Sequence, residues 1–134
     1  MIRSVAAVLA GLVASLAVIT LVETVGHTIY PPPPGLDPMT PGGMAAIVAQ
    51  WPLGAMLFVL LAFSLGALAG GAVAAKIAAE DRTVEAMVVG TFLTLGALLN
   101  VVTIPHPLWM SGVSVAIQMP SAWLGARLVV RRPT

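Results

Sequence analysis

The sequence predicts an all-α polytopic membrane protein. One domain, residues 1–134, would hold four transmembrane helices in a bundle, with both termini cytoplasmic and a Pro-rich outer loop carrying a short interfacial helix. Composition is the first observation behind this reading: of 134 residues, 59% are hydrophobic and only 8% charged. A soluble domain of this length would leave too much of that apolar surface in water, so lipid is the expected solvent. The second is four long apolar runs, at about 4–30, 52–75, 84–104 and 108–130. Each is continuous and rich in Leu, Ala and Val, without the alternation of a barrel strand, and each reaches the roughly 20 residues a helical span needs. The third is the placement of the basic residues.

Span 1 starts with an apolar stretch from Ser4 to Val22. At about 19 residues it exceeds the apolar region of a signal peptide, and no small-x-small site precedes Glu23, so a retained span is expected. It runs into Pro31–Pro34, which favours stiff polyproline II. Asp37-Pro38 signals a turn. Thr40-Pro41 reads as an N-cap followed by Pro at the first helical position. Met44, Ile47, Val48 and Trp51 follow at helical spacing. They predict a helix near 41–50 with that face in the membrane interface, serving as a lid over the bundle or, more simply, as a ramp into span 2. Pro52 can open span 2 without losing a needed hydrogen bond.

Span 3 ends at the tight corner Ile104-Pro105-His106-Pro107. Span 4 contains Pro120, which removes one backbone hydrogen bond and should bend the helix. Gln118 lies within a turn of this hinge, and a buried amide needs a partner. It would make an interhelical hydrogen bond or line a polar path beside the hinge.

Orientation follows from all six Lys and Arg residues. Arg3 precedes span 1, Lys76 and Arg82 flank the connection between spans 2 and 3, and Arg127, Arg131 and Arg132 close span 4. The rule that cytoplasmic loops carry the positive charge places both termini inside the bacterial inner membrane, with Pro31–Trp51 and Pro105–Pro107 outside. A net charge of +1 gives no nucleic-acid footprint, and the absence of cysteine excludes disulfides and thiolate sites.

Helices associate in lipid through small residues. Span 2 carries Ala62, Gly66, Gly70 and Ala74 at four-residue spacing, span 1 carries Ala7, Gly11 and Ser15, and span 4 carries Ser121 and Gly125. These rows would pack the bundle or form a seam between copies of the chain.

Chemistry is expected at the outer rim. Glu23 and His27 share a helix face as i and i+4. From Ser4 to Glu23 is about 28 Å of helix at ~1.5 Å per residue, which puts the carboxylate near the outer edge of the hydrocarbon. Asn100, His106 and Asp37 fall on the same side. Three readings stand. The cluster ties the outer face together, with Glu23 paired to His27 or Asn100 and Tyr30 and Trp109 as interface anchors. It binds a metal, since imidazole with carboxylate suits Zn, Mn or Fe. Or it exchanges protons, with His27 titrating near neutrality. The serines have no partnered base in sequence, and no phosphate loop, dinucleotide fingerprint or metalloprotease helix is present.

The pattern Glu23-x3-His27-x2-Tyr30-Pro31, with Pro105-His106-Pro107-x-Trp109, resembles small bacterial four-span inner-membrane proteins of unassigned activity. Four spans with one glutamate in the first are also similar to the small multidrug resistance transporters. Glu23 departs from that pattern by lying near the outer face, and the aromatic signature of their third span is missing. The expected function is a non-enzymatic integral membrane subunit, acting through helix packing within a homo-oligomer or larger membrane complex. The alternative is a small proton- or divalent-metal-coupled carrier using the Glu/His cluster.

Overall fold

The computed structural model describes residues 1–78 and 82–129, and among them all regular structure is helical. Six helices follow in order: α1 (Ile2–Ile29), α2 (Gly43–Ala49), α3 (Leu53–Ile77), α4 (Arg82–Thr103), α5 (Leu108–Ala116) and α6 (Gln118–Val129). The helices α1, α3 and α4 are each long and apolar enough to cross a membrane. Val130, Arg131 and Arg132, which end the expected fourth span and its basic flank, lie outside the described residues.

The helix α3 is central and touches α1, α4, α5 and α6. Its small-residue row makes this possible. A Cβ placed on Gly70 would meet the Gly11 carbonyl oxygen at 2.7 Å and would collide with Ser15 Oγ, while one on Gly66 would collide with Ile19. On the opposite face, a Cβ on Gly71 would strike the Ala122 carbonyl and one on Gly125 the Leu68 carbonyl. The rows with Gly11, Gly66, Gly70 and Gly125 are thus covered within the chain, where backbones approach too closely for any side chain. Contacts run from Gly11–Gly70 to Gly26–Phe58 to Tyr30–Gly54, so α1 is antiparallel to α3. The helix α6 runs parallel to α3, with Ala126 packed on Ala75 and Ala86.

Both ends of the α1–α3 pair are fastened. At the basic end, Arg3 Nε donates to the Ile77 carbonyl at 2.8 Å, satisfying an orphan acceptor at the α3 C-terminus. At the Pro-rich end, Tyr30 stops α1 and its ring meets Phe58 edge-on, with centroids 6.0 Å apart. The helix stops there because a residue preceding proline is pushed out of the helical region. Arg127 caps this arrangement at the basic end of α6, its guanidinium 4.7 Å from the Trp123 ring centroid.

Two sequence expectations change. The fourth apolar run is not one helix: it is α5 and α6, separated at Ile117. Pro120 has no N–H for the Ala116 carbonyl, four residues earlier, so the interruption falls one turn before the proline. The helical pattern resumes at once, with Ser121 N–H donating to the Ile117 carbonyl at 3.2 Å. Gln118 is buried at this break, but among the described residues its amide reaches no helix outside its own apolar run. Its Nε2 donates to Ser114 O of α5 at 3.3 Å, one turn back across the break, and its Oε1 has no partner among the described residues.

The start of α2 also differs. Thr40 does not cap it, and Pro41 is not its first residue. Asp37–Thr40 and Thr40–Gly43 form successive turns, closed by Thr40 N–H to Asp37 O at 3.2 Å and Gly43 N–H to Thr40 O at 2.9 Å. In the second, Pro41 precedes Gly42 at φ 77°. Proline followed by a residue with positive φ is what a type II turn requires, and Gly42 meets that at no steric cost. The turn therefore outcompetes the cap, and the helix starts at Gly43.

Candidate functional site

At the Pro-rich end α1, α3, α4 and the connections around them line a cavity of about 390 Å³. Four of its lining residues are polar: Glu23 and His27 from α1, Asn100 from α4, and His106 from the connection between α4 and α5. Their convergence has a simple origin. Glu23 and His27 are one turn apart on α1, and α1 and α4 both deliver their C-terminal turns to this end. The corner Pro105-His106-Pro107 then folds back over it. Prolines on both sides of His106 restrict the backbone, and its Nδ1 lies 2.7 Å from the Ile104 carbonyl oxygen. A carbonyl only accepts, so Nδ1 carries the hydrogen. The neutral ring therefore keeps Nε2 as an acceptor.

The rest of the wall is apolar. Val59 and Phe63 of α3 form one side. They are four residues apart and so share a face, at the end of span 2 that meets Glu23. That spacing was the available signal for both, and sequence reasoning missed them. Met44, Ile47 and Trp51 form another side. These belong to the face expected in the membrane interface. Instead the α2 face turns onto the bundle, where Ile47 and Val48 are 4% and 2% exposed. Its apolar side chains find better cover over the cavity than beside it. A water-sized chamber of about 10 Å³ adjoins the cavity, bordered by Glu23, His27, Tyr30 and Trp51.

Asp37 does not line the cavity. Its Oδ1 accepts the Met39 N–H at 2.8 Å, and its carbonyl accepts the Thr40 hydroxyl at 2.7 Å, so it builds the turn before α2. Among the described residues, no three His, Asp or Glu side chains are grouped closely enough to hold a metal ion. No hydrogen bond joins Glu23 to His27 or Asn100 among those residues, and the side-chain bond recorded for the four is that of His106 to Ile104. Pro120 and Gln118 lie apart from the cavity as well, at the break between α5 and α6.

A carboxylate, two imidazoles and a carboxamide thus face an apolar chamber of the size that small-molecule sites occupy. No family model, curated protein or solved structure matches this chain, so the reading of the site rests on its own geometry.

Proposed function

We propose that this protein is a small multi-pass protein of the bacterial inner membrane that binds a small molecule in the cavity at its outer end, as the loading site of a carrier. The bent pair α5–α6 acts as the fourth span: from Leu108 to Val129 it reaches about 33 Å at ~1.5 Å per residue. Arg3, Lys76, Arg82 and Arg127 mark the cytoplasmic end, which leaves both termini inside and α2 outside. The observation that carries the reading is the meeting of Glu23, His27, Asn100 and His106 on one mostly apolar cavity of about 390 Å³. A purely structural cluster would spend those groups on one another.

The test is the state of the cavity in the intact membrane. A cysteine at Val59, introduced into this cysteine-free chain, should react with small apolar maleimides added from the periplasmic side. Cysteine in place of Ser15, fully buried in the α1–α3 contact, should not. Labelling of neither position would remove the loading site.

A second reading, a non-enzymatic subunit of a homo-oligomer or larger membrane complex, is supported by Gly96 and Gly112. A Cβ at either would meet nothing within 4 Å. Small residues on an uncovered helix face permit close approach by another helix. Migration of the native complex in mild detergent separates this reading from an isolated monomer.

A further inference from the structure

The cavity's lining has a sign as well as a shape. No Lys or Arg occurs from residue 4 to 75 or from 83 to 126. Every segment that lines the cavity lies within those stretches, so no permanent positive charge reaches it. Glu23 supplies a carboxylate on one wall. His106 presents Nε2 as an acceptor, because its Nδ1 hydrogen is committed to the Ile104 carbonyl. Asn100 adds a carboxamide, which accepts through its oxygen and donates through its nitrogen. The same cavity is bordered by Trp51 and Phe63, aromatic residues of the kind that attract cations. Either imidazole, His27 or His106, is positive when protonated and would then compete with a bound cation for Glu23.

We infer that the cavity selects a monovalent organic cation with an apolar body: an ammonium group set against Glu23 and His106, and a ring or branched chain lying between Trp51, Phe63, Ile47 and Val59. This deepens the loading-site reading and rests on it. Ammonium hydrogens suit the acceptors, and the apolar body replaces water from a wall that offers it few partners. An anion finds no fixed positive charge, and a small hydrated metal ion finds no ligand trio among the described residues.

The test uses the full chain in lipid nanodiscs, with Trp109 and Trp123 replaced by Phe so that fluorescence reports Trp51. Three probes share one body and differ in the head: 4-phenylbutylamine, 4-phenylbutanol and 4-phenylbutyrate. The amine should bind about tenfold more tightly than the alcohol, the scale expected of one charge-assisted contact in a partly desolvated site. The carboxylate should be weakest. Glu23→Gln should bring the amine to the affinity of the alcohol and leave the alcohol unchanged. Equal binding of amine and alcohol by the unaltered chain would overturn the cation preference while leaving the cavity a ligand site. Absence of any Trp51 response to all three would overturn both.

Discussion

The two halves of this bundle solve opposite problems. Toward the basic end, Gly11, Gly66, Gly70, Gly71 and Gly125 bring backbones together until no side chain fits between them. Toward the Pro-rich end, the same helices carry Glu23, His27, Phe63 and Asn100, and the larger side chains hold the backbones apart around a cavity. The α3 sequence shows the change within one helix: Phe58, Val59 and Phe63 precede Gly66, Gly70, Gly71 and Ala74. Side-chain volume along a single central helix therefore sets where the molecule is solid and where it is hollow. Close backbone packing lies in the first half, and a cavity lined by polar side chains lies in the second.

Substitutions of similar size should separate the halves. The largest effect is expected from Gly70→Leu. It forces a branched side chain against Ser15, the Gly11 backbone and Val89, and should cost about 3 kcal/mol or prevent folding, at the upper end of overpacking costs. Detergent-induced unfolding in bicelles measures it, and an unchanged midpoint would mean that the close α1–α3 contact is not what holds the bundle. Gly125→Val tests the α3–α6 contact, where the Leu68 carbonyl leaves no room, and should cost about 2 kcal/mol in the same assay.

Val59→Trp adds a comparable volume, but into the cavity. It should change the unfolding free energy by less than about 1 kcal/mol, while abolishing the Trp51 response to phenylbutylamine measured in a variant whose other tryptophans, including the new one, are accounted for by difference. Large destabilisation here would show the cavity wall to be as tightly packed as the glycine face.

Pro120→Ala asks whether the break at Ile117 belongs to either half. The new N–H can reach the Ala116 carbonyl, so amide exchange at position 120 should be slow, with stability altered by about 1 kcal/mol. Fast exchange would place the cause of the break elsewhere. The smallest effect is expected from Gly96→Leu, which enters open space. Monomer stability should stay within about 0.5 kcal/mol, and loss of a larger species on native gels would support the subunit reading.

The sequence made the solid half easier to read than the hollow one. Long apolar runs placed α1, α3 and α4 to within two residues at most ends, because length and hydropathy report spans directly. Spacing identified the glycine rows, although it does not distinguish a neighbour in the same chain from one in another. At the hollow end, sequence assigned Glu23, His27, Asn100 and His106 to one side, and their meeting depended on how four helices converge. Asp37 was drawn into the same group by membrane side alone, although a short acidic side chain before Pro38 commonly folds back onto its own turn. The start of α2 was misplaced because Thr40-Pro41 suits both a helix cap and a type II turn, and only Gly42 decides between them. At Pro120 the chemistry was right and the location was off by one turn, since the bond a proline removes belongs to the carbonyl four residues back.

The fastening of α1 to α3 has a consequence for how the chain assembles. Arg3 closes the pair on Ile77, and Tyr30 closes it on Gly54 and Phe58. Every one of these residues emerges from the ribosome before residue 79. The first hairpin thus possesses both of its clasps, and the Glu23, His27, Trp51 and Phe63 portion of the chamber, while α4 is still unmade. The later helices bring Asn100 and His106 to a wall that is already standing.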